Sequence, residues 1–563
     1  MSSSNFKINI LLGLIIFCQQ ANAQINTREV PVGFKHNFNR EQIPEIVMPA
    51  VDIVKLQEED EKEKEYNLPP RFGYKHSVDL NLLDEGFWYT LENGDKLCQL
   101  SIVCPNALSV NLLYDKFWLP DGAKFFIYSN DHKHSIGAFT SLNNKGSRND
   151  MQGFATGLVY GDRVTLEYFL PKDVKETGSI SISGIVHGYR YIMPEYGYGN
   201  VPGNNPNYNL GFNQSGNCQV NINCPEGNNW QKEKRAVVLI LVSGVRWCSG
   251  SLINNPSNDF TPYFLTANHC LQDGAGFNGN DGDAEKNPTL NHWTFYWNYE
   301  LPTNLNNCNY NGSNPSEPLA YSTVGAQILA NANTSVSDFA LLLLTENPVY
   351  FSNYSPSYSP SYLGWDRTGN SGTTGGVGIH HPRGDVKKIA THEQNPYTIN
   401  VGSGIGNYWQ LSWMQTQNGH SITEGGSSGS PLINNDHRVI GQLFGTIYGG
   451  DCSAPGYKDS VYGKFSVSWS GNSPNNNYRQ LQPWLDPTNT VSVLNGVSYC
   501  LLPVYNYVNQ TVFNNTTVTN ICGDINVQNV IVKNGSKLTL DATENVILNA
   551  DFEIELGASL EIK

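Results

Sequence analysis

Short runs of alternating apolar and polar side chains recur along this chain, and they predict strands far more often than helices. Lys124-Phe125-Phe126-Ile127-Tyr128 and Arg163–Phe169 are two such runs, bounded by Asn, Asp and Gly turns. Phe339-Ala340-Leu341-Leu342-Leu343-Leu344 is apolar throughout, the pattern of a strand that dives into a core. Towards the C-terminus Val527–Val532, Ser536–Leu540, Glu544–Leu548 and Ala558–Ile562 follow one another across Asn-Gly and Leu-Gly turns, which reads as the coils of a small β-solenoid. One stretch is helix-like, Val51–Glu65. Its tail from Glu58 onward is almost all charge and predicts a solvated helix end or a linker.

With 563 residues the chain is several times a typical domain. The first 23 residues read as an export signal: Lys7 precedes an apolar run from Ile8 to Cys18, and Ala21-Asn22-Ala23 supplies the small-residue cleavage pattern. Residues 24–212 form an N-terminal β-rich segment, 213–495 a central unit and 500–563 the repeat module. Between the first two, Tyr196–Ser215 has the Gly, Asn, Pro and Tyr composition of a linker and a processing zone. Nothing after the signal reaches the ~20 consecutive apolar residues of a membrane span, so the expectation is a secreted protein without a membrane anchor. Aromatics at 11% and charged residues at 15% fit a β-rich extracellular protein, and a net charge of −15 argues against nucleic acid as a partner. Ten cysteines remain beyond the signal, an even number that favours disulfides over metal ligation. Cys98 and Cys104 are close enough in sequence to pair across a local turn, and Cys500 with Cys522 to clamp the repeat module. No zinc spacing exists among the cysteines. His187, His380 and His381 read as hydrogen-bonded loop or core residues, so neither metal nor cofactor is expected.

Three strings in the central unit carry the candidate chemistry: Thr266-Ala267-Asn268-His269-Cys270, Ser337-Asp338 ahead of the apolar run, and Gly425-Gly426-Ser427-Ser428-Gly429-Ser430-Pro431. Singly, each has an ordinary structural explanation. Together, His269, Asp338 and Ser428 stand in the chain order of a chymotrypsin-type triad, unlike the α/β-hydrolase or subtilisin orders. A serine hydroxyl is a poor nucleophile until an imidazole takes its proton, which assigns His269 as base and Asp338 as the carboxylate that fixes its tautomer. Glycines around Ser428 allow a sharp turn that aims the amides of Gly426 and Ser428 at a developing oxyanion.

These strings sit among others. Ser215-Gly216-Asn217-Cys218, Cys224-Pro225-Glu226-Gly227, Trp247-Cys248-Ser249-Gly250-Ser251-Leu252, Gly364-Trp365-Asp366-Arg367, Ile379-His380-His381-Pro382 and Gly441-Gln442-Leu443 resemble segments of secreted bacterial lysyl endopeptidases of the chymotrypsin-like superfamily, across the whole central unit. The resemblance implies a mostly β chymotrypsin-like double β-barrel, preceded by a β-rich pro-region, acting on polypeptide substrates by cleavage after Lys or Arg. It also implies three disulfides, Cys218–Cys452, Cys224–Cys308 and Cys248–Cys270. Ser427 stands where trypsin-like enzymes carry the Asp that receives a freed amino terminus, so the Cys218–Cys452 crosslink is expected to fix the N-terminal arm instead. Ile422 replaces the trypsin pocket Asp; the family's pocket carboxylate falls at Asp459, one residue off in the simplest alignment, where a turn aspartate is the alternative. Phe444 occupies the place of a family histidine near the substrate, and the family's paired tryptophan is replaced near Asn400. Between Arg190 and Lys232 there is no Lys or Arg, so a basic-specific enzyme could not cut itself there. Two readings stand beside the lysyl one: a peptidase of non-basic specificity, and a catalytically silent binding protein on the same fold. The sequence carries no signal for oligomeric state.

Overall fold

The computed structural model describes residues 29–36, 40–63, 69–190, 215–271, 283–286, 289–301, 308, 321–349, 359–446, 452, 459–471, 475–499, 504–520, 523–542 and 545–563. The export signal, nearly all of the Tyr196–Ser215 linker and the Cys500–Cys522 clamp lie outside the described residues. Strands dominate, and the architecture is mostly β.

At the N-terminal end two sheets pack face to face. One orders Glu45–Val47, Lys96–Val103, Arg163–Leu170, Lys124–Ser129 and Ser135–Phe139, with Phe87–Thr90 also on Lys96–Val103; the other orders Val159–Tyr160, Ser109–Trp118, Ser179–Gly188 and Gly73–Asn81. Alternation sends Leu100, Ile102, Leu112, Phe125, Leu166 and Ile182 into a shared core. Cys98 and Cys104 do not pair: both are buried free thiols. The reason is the strand itself. Cys98 lies inside Lys96–Val103, and six residues of extended chain set the two Cα atoms ~20 Å apart, far beyond disulfide reach. Burial, then the Asp84 charge for Cys98 and the Asp162 charge for Cys104, pushes both thiols up to about 12.

The helix-like stretch is a helix, Ile53–Glu63, and its charged end is solvated at Glu58, Glu61 and Lys62 but not on the face that carries Asp60. Asp60 is buried, because Arg71 Nε lies 3.1 Å from its Oδ1 and Arg190 pairs with its Oδ2. Charge patterning alone could not reveal partners that arrive from elsewhere in the chain.

The central region holds two larger sheets. The first runs Tyr321–Val324, Thr294–Trp297, Val237–Val242, Arg246–Leu252, Tyr263–Ala267, Phe339–Leu344, Ala326–Asn331, every neighbour antiparallel. The second is ten-stranded, with Gly376–His380, Pro431–Asn434, Arg438–Thr446, Asp459–Lys464 and Tyr408–Ser412 at its centre. Loops at the ends of both sheets meet, giving the two-barrel arrangement the sequence implied. The C-terminal strands are parallel in two sheets, with Val504–Val512 on Asp524–Val532 and Thr516–Asn520 on Lys537–Ala542. Val512, Ile525, Val527, Val530, Leu538 and Leu540 fill the space between, and Asn506–Asn526 and Asn509–Asn529 stack as amide ladders at 2.8 and 2.6 Å. The stacked coils thereby share one apolar core, as in a solenoid.

Candidate active site

His269 sits in the single helical turn Asn268–Leu271 that ends the strand Tyr263–Ala267, and Asp338 immediately precedes the neighbouring strand Phe339–Leu344. Because these strands pair in register, Ala267 opposite Phe339, the two loops are forced together. Asp338 Oδ2 lies 2.6 Å from His269 Nδ1, its Oδ1 accepts from the His269 backbone N–H at 3.0 Å, and its carbonyl accepts from Asn268 N–H at 2.8 Å. The Asp338 side chain is 1% exposed. Its positive φ of 55° is a conformation Asp tolerates better than most residues. The second sheet braces this loop: Gln442 Nε2 donates to Ser337 O at 2.6 Å, and Ser337 and Ser468 share a hydrogen bond of 2.8 Å. Gly463 comes so close that a Cβ there would lie 1.8 Å from Ser337 O, which is the reason for glycine. Among the described residues His269 Nε2, the nitrogen opposite the carboxylate, has no hydrogen-bond partner.

Ser428 precedes the strand Pro431–Asn434 of the second sheet. Its carbonyl accepts from Ser249 N–H at 2.8 Å, one residue beyond Cys248, whose disulfide to Cys270 closes beside His269. The Ser428 loop and the His269 turn are thus tied through one strand. Gly426 has φ 93°, and its carbonyl accepts from Ser249 Oγ at 2.9 Å. The amides of Ser427, Gly429 and Ser430 donate to backbone carbonyls. Those of Gly426 and Ser428 have no acceptor among the described residues, as a ready oxyanion pocket requires.

Several residues that build this loop were not singled out in the sequence. Glu424, 1% exposed, accepts from Gly216 N–H at 2.9 Å and Gln219 Nε2 at 2.8 Å, and pairs with Arg383 Nε at 2.8 Å. Its backbone holds the loop, with Ser427 N–H on Glu424 O at 3.0 Å and Glu424 N–H on Ser427 Oγ at 3.2 Å. His380 Nδ1 lies 2.8 Å from Ser427 Oγ, and burial together with the Lys388 charge drops that imidazole to about 3, so it is neutral. Ser427 therefore anchors through a neutral imidazole and a backbone amide. The N-terminal arm is tied by Glu424 and by the Cys218–Cys452 disulfide, Cα atoms 5.5 Å apart; Cys224–Cys308 is also formed. Sequence separations of about 200 hid the Glu424 contacts. A carboxylate four residues before the serine was the signal present.

His381 Nδ1 meets Asp385 O at 3.0 Å, whereas His187 is fully buried with neither ring nitrogen hydrogen-bonded among the described residues, and burial and then His76 lower it to about 4. The expectation of hydrogen-bonded histidines thus fails for His187, which survives in a core because it is neutral. No group of three metal-capable side chains exists among the described residues.

Phe444 packs edge-on against His269 and Tyr408, centroids 6.0 and 5.5 Å away. Asn400 is a turn residue whose Oδ1 accepts from Gly406 N–H at 2.6 Å. Asp459 opens the strand Asp459–Lys464, opposite Ser412, and its carboxylate accepts from Gln410 and Ser412. Its neighbour Ser460 points to the other face, 2.6 Å from Thr423 Oγ1 and 2.8 Å from the Trp413 indole N–H, beside buried Ile422.

Two sheets that meet at a histidine, an aspartate and a serine define the chymotrypsin-like class of fold. Residues 212–465 match the lysyl endopeptidase C-terminal domain family. The lysyl endopeptidase of Pseudomonas aeruginosa is 27% identical over 56% of this chain and 61% of its own length. The chain thus spans less than two thirds of that relative. Among solved structures, a Glu endopeptidase is 15% identical over 44% of this chain and 90% of its own, with a TM-score of 0.24. The HtrA-type protease AlgW with tripeptide is 14% identical over 43% of this chain and 61% of its own, with a TM-score of 0.26. No described helix is long and apolar enough to cross a membrane.

Proposed function

We propose that this protein is a secreted serine endopeptidase that hydrolyses peptide bonds through an acyl-enzyme. Ser428 Oγ attacks the scissile carbonyl, His269 Nε2 takes its proton and returns it to the leaving amine, and Asp338 holds the proton on Nδ1 and stabilises the imidazolium. The amides of Gly426 and Ser428 receive the oxyanion. The observation that carries this reading is the 2.6 Å contact from His269 Nδ1 to a buried carboxylate, leaving Nε2 unpaired. Residues 1–23 are the export signal, 24–212 a pro-region, 213–495 the peptidase and 500–563 an appended solenoid.

Cleavage after Lys, or Arg, is the specificity the family match supports, with Asp459 as the pocket carboxylate and Phe444 lining the cleft. A second reading, non-basic specificity, is favoured by Ser460 and Ile422, which stand on the sheet face opposite Asp459. Incubating the protein and its Ser428→Ala variant with a mixed peptide pool, and mapping cuts by mass spectrometry, tests both. Cuts after Lys or Arg that disappear in Ser428→Ala support the lysyl reading, cuts elsewhere the second, and no Ser428-dependent cuts would favour a silent binding protein.

A further inference from the structure

The two N-terminal sheets bury one face each against the other, and the outward face of the first is polar. The ladder fixes which residues share that face. Glu45 stands opposite Ser101, Ser101 opposite Thr165 and Thr165 opposite Tyr128, while two residues along the strand Gln99 stands opposite Glu167. Their neighbours Leu100, Ile102, Leu166 and Ile127 point the other way, into the core. Such a face would ordinarily meet water. Here the turn Val32–Lys35 covers it, with Gly33 N–H donating to Glu167 Oε1 at 2.9 Å and the Phe34 ring 4.8 Å from that of Tyr128 and stacked at 4.0 Å on His132. Gln99, Ser101, Thr165 and Glu167 are all buried in consequence.

Between turn and sheet lies a cavity of about 290 Å³, lined among others by Phe34, Gln99, Ser101, Tyr128, His132 and Thr165. Its hydrogen-bonding groups are only partly used. Gln99 Nε2 donates to Tyr128 Oη at 2.9 Å and to Glu167 Oε2 at 3.0 Å, and the Tyr128 O–H donates to the same carboxylate oxygen at 3.0 Å. An ionised carboxylate only accepts, so the amide cannot turn round, and Gln99 Oε1 is left without a donor among the described residues. The Ser101 and Thr165 hydroxyls have no hydrogen-bond partner among them either. A buried polar group without a partner costs stability until one arrives. The sheet offers no free charge, because Glu167 already takes Gly33, Gln99 and Tyr128, and Glu45 pairs with Arg163.

We infer that this cavity is a binding site for a single neutral sugar ring. The ring hydroxyls donate to Gln99 Oε1 and exchange hydrogen bonds with Ser101 and Thr165, in place of the water that a polar cavity of this size holds. The C–H face of the ring, its hydrogens weakly positive, rests on the negative faces of the aromatic wall. A phosphate or a free amino acid would bring charge that no group of this sheet is free to balance. The volume lies at the lower end of small-molecule sites, ~300 Å³, which suits one ring and not an oligosaccharide. The site belongs to the N-terminal sandwich and is independent of the peptidase reading.

The test is calorimetric titration and thermal unfolding of the full-length chain with methyl glucoside, methyl galactoside, methyl mannoside and N-acetylglucosamine, and with glucuronate as the charged comparison, beside Ser101→Ala and Thr165→Val. Saturable binding of at least one neutral sugar is expected, with Tm raised by ~3–6 °C at ten times its Kd, an affinity at least tenfold lower in each variant, and glucuronate bound at least tenfold more weakly. No saturable binding of any of the four up to ~50 mM, well past the mM end of affinities, would overturn the site. Unchanged affinity in both variants, or glucuronate bound as tightly as the neutral sugars, would overturn it equally. Ser101→Ala deletes one oxygen that makes no bond in the folded chain, so its titration decides the matter if Thr165→Val fails to fold.

Discussion

Glu424→Gln is the substitution that most directly separates an ordered oxyanion loop from a merely present one. The carboxylate takes Gly216 N–H at 2.9 Å, Gln219 Nε2 at 2.8 Å and Arg383 Nε at 2.8 Å, with its side chain 1% exposed. Glutamine keeps one acceptor oxygen and turns the other into a donor, so at least one of these donors faces an amide N–H₂. Two charge-assisted bonds weakened at ~1.5–3 kcal/mol each set the gross loss. Arg383 is 30% exposed and recovers water, so its share is discounted to ~0–1 kcal/mol. A net loss of ~2–4 kcal/mol follows, which lowers Tm by ~5–15 °C for a domain of this size. Glu424 also positions Ser427 through two backbone-linked bonds, so part of that energy orders the amides of Gly426 and Ser428. If half of it does, kcat falls ~5–30-fold with KM nearly unchanged, at 1.36 kcal/mol per decade. Peptide hydrolysis kinetics beside thermal unfolding would check this. A Tm drop with kcat within twofold of the parent would refute the reasoning, because the loop would then be preformed without Glu424.

Other consequences follow from the same packing. Removing the Cys248–Cys270 disulfide by a double Ala substitution frees a loop with a sequence separation of 22 and should cost ~3 kcal/mol, seen as a lower urea midpoint, with activity reduced because the loop carries His269. Asp459→Asn should reduce cleavage after Lys or Arg at least tenfold relative to other sites in a mapped peptide pool; an unchanged preference would assign the pocket to the Ser460 face. Glu300 is largely buried, its side chain 15% exposed: burial raises its pKa, but the charges of Lys234 and Lys387 outweigh this and hold it at about 2. A depressed carboxyl adds stability above its unfolded value, near 4.5, and loses it as pH falls towards 2. Unfolding midpoints should therefore drop between about pH 4.5 and 2 by up to ~3 kcal/mol, and Glu300→Gln should flatten that slope; the same slope in the variant would assign it elsewhere.

The strands and the three site strings were legible in the sequence because each is a local pattern: the apolar run Phe339–Leu344 emerges as a strand with Asp338 at its mouth, and the solenoid coils reappear with their turns. What was hidden is non-local. Asp60 and Glu63, inside a charged run whose Glu58, Glu61 and Lys62 are solvated as expected, could not be told apart from it because Arg71, Arg190 and Arg246 reach them only in the fold. Cys98 and Cys104 looked paired because sequence proximity says nothing of extension along a strand. Glu424 went unnoticed since its partners Gly216 and Gln219 belong to an arm some 200 residues earlier.

The central claim, that Ser428 is an activated nucleophile, is tested most directly by mixing the protein with a slowly deacylating activated ester, quenching in acid and locating the acyl group by peptide mass mapping. An acyl group on Ser428, absent in His269→Ala, is the predicted result. No acyl group, or one on Ser427 or Ser430 that survives His269→Ala, would contradict it.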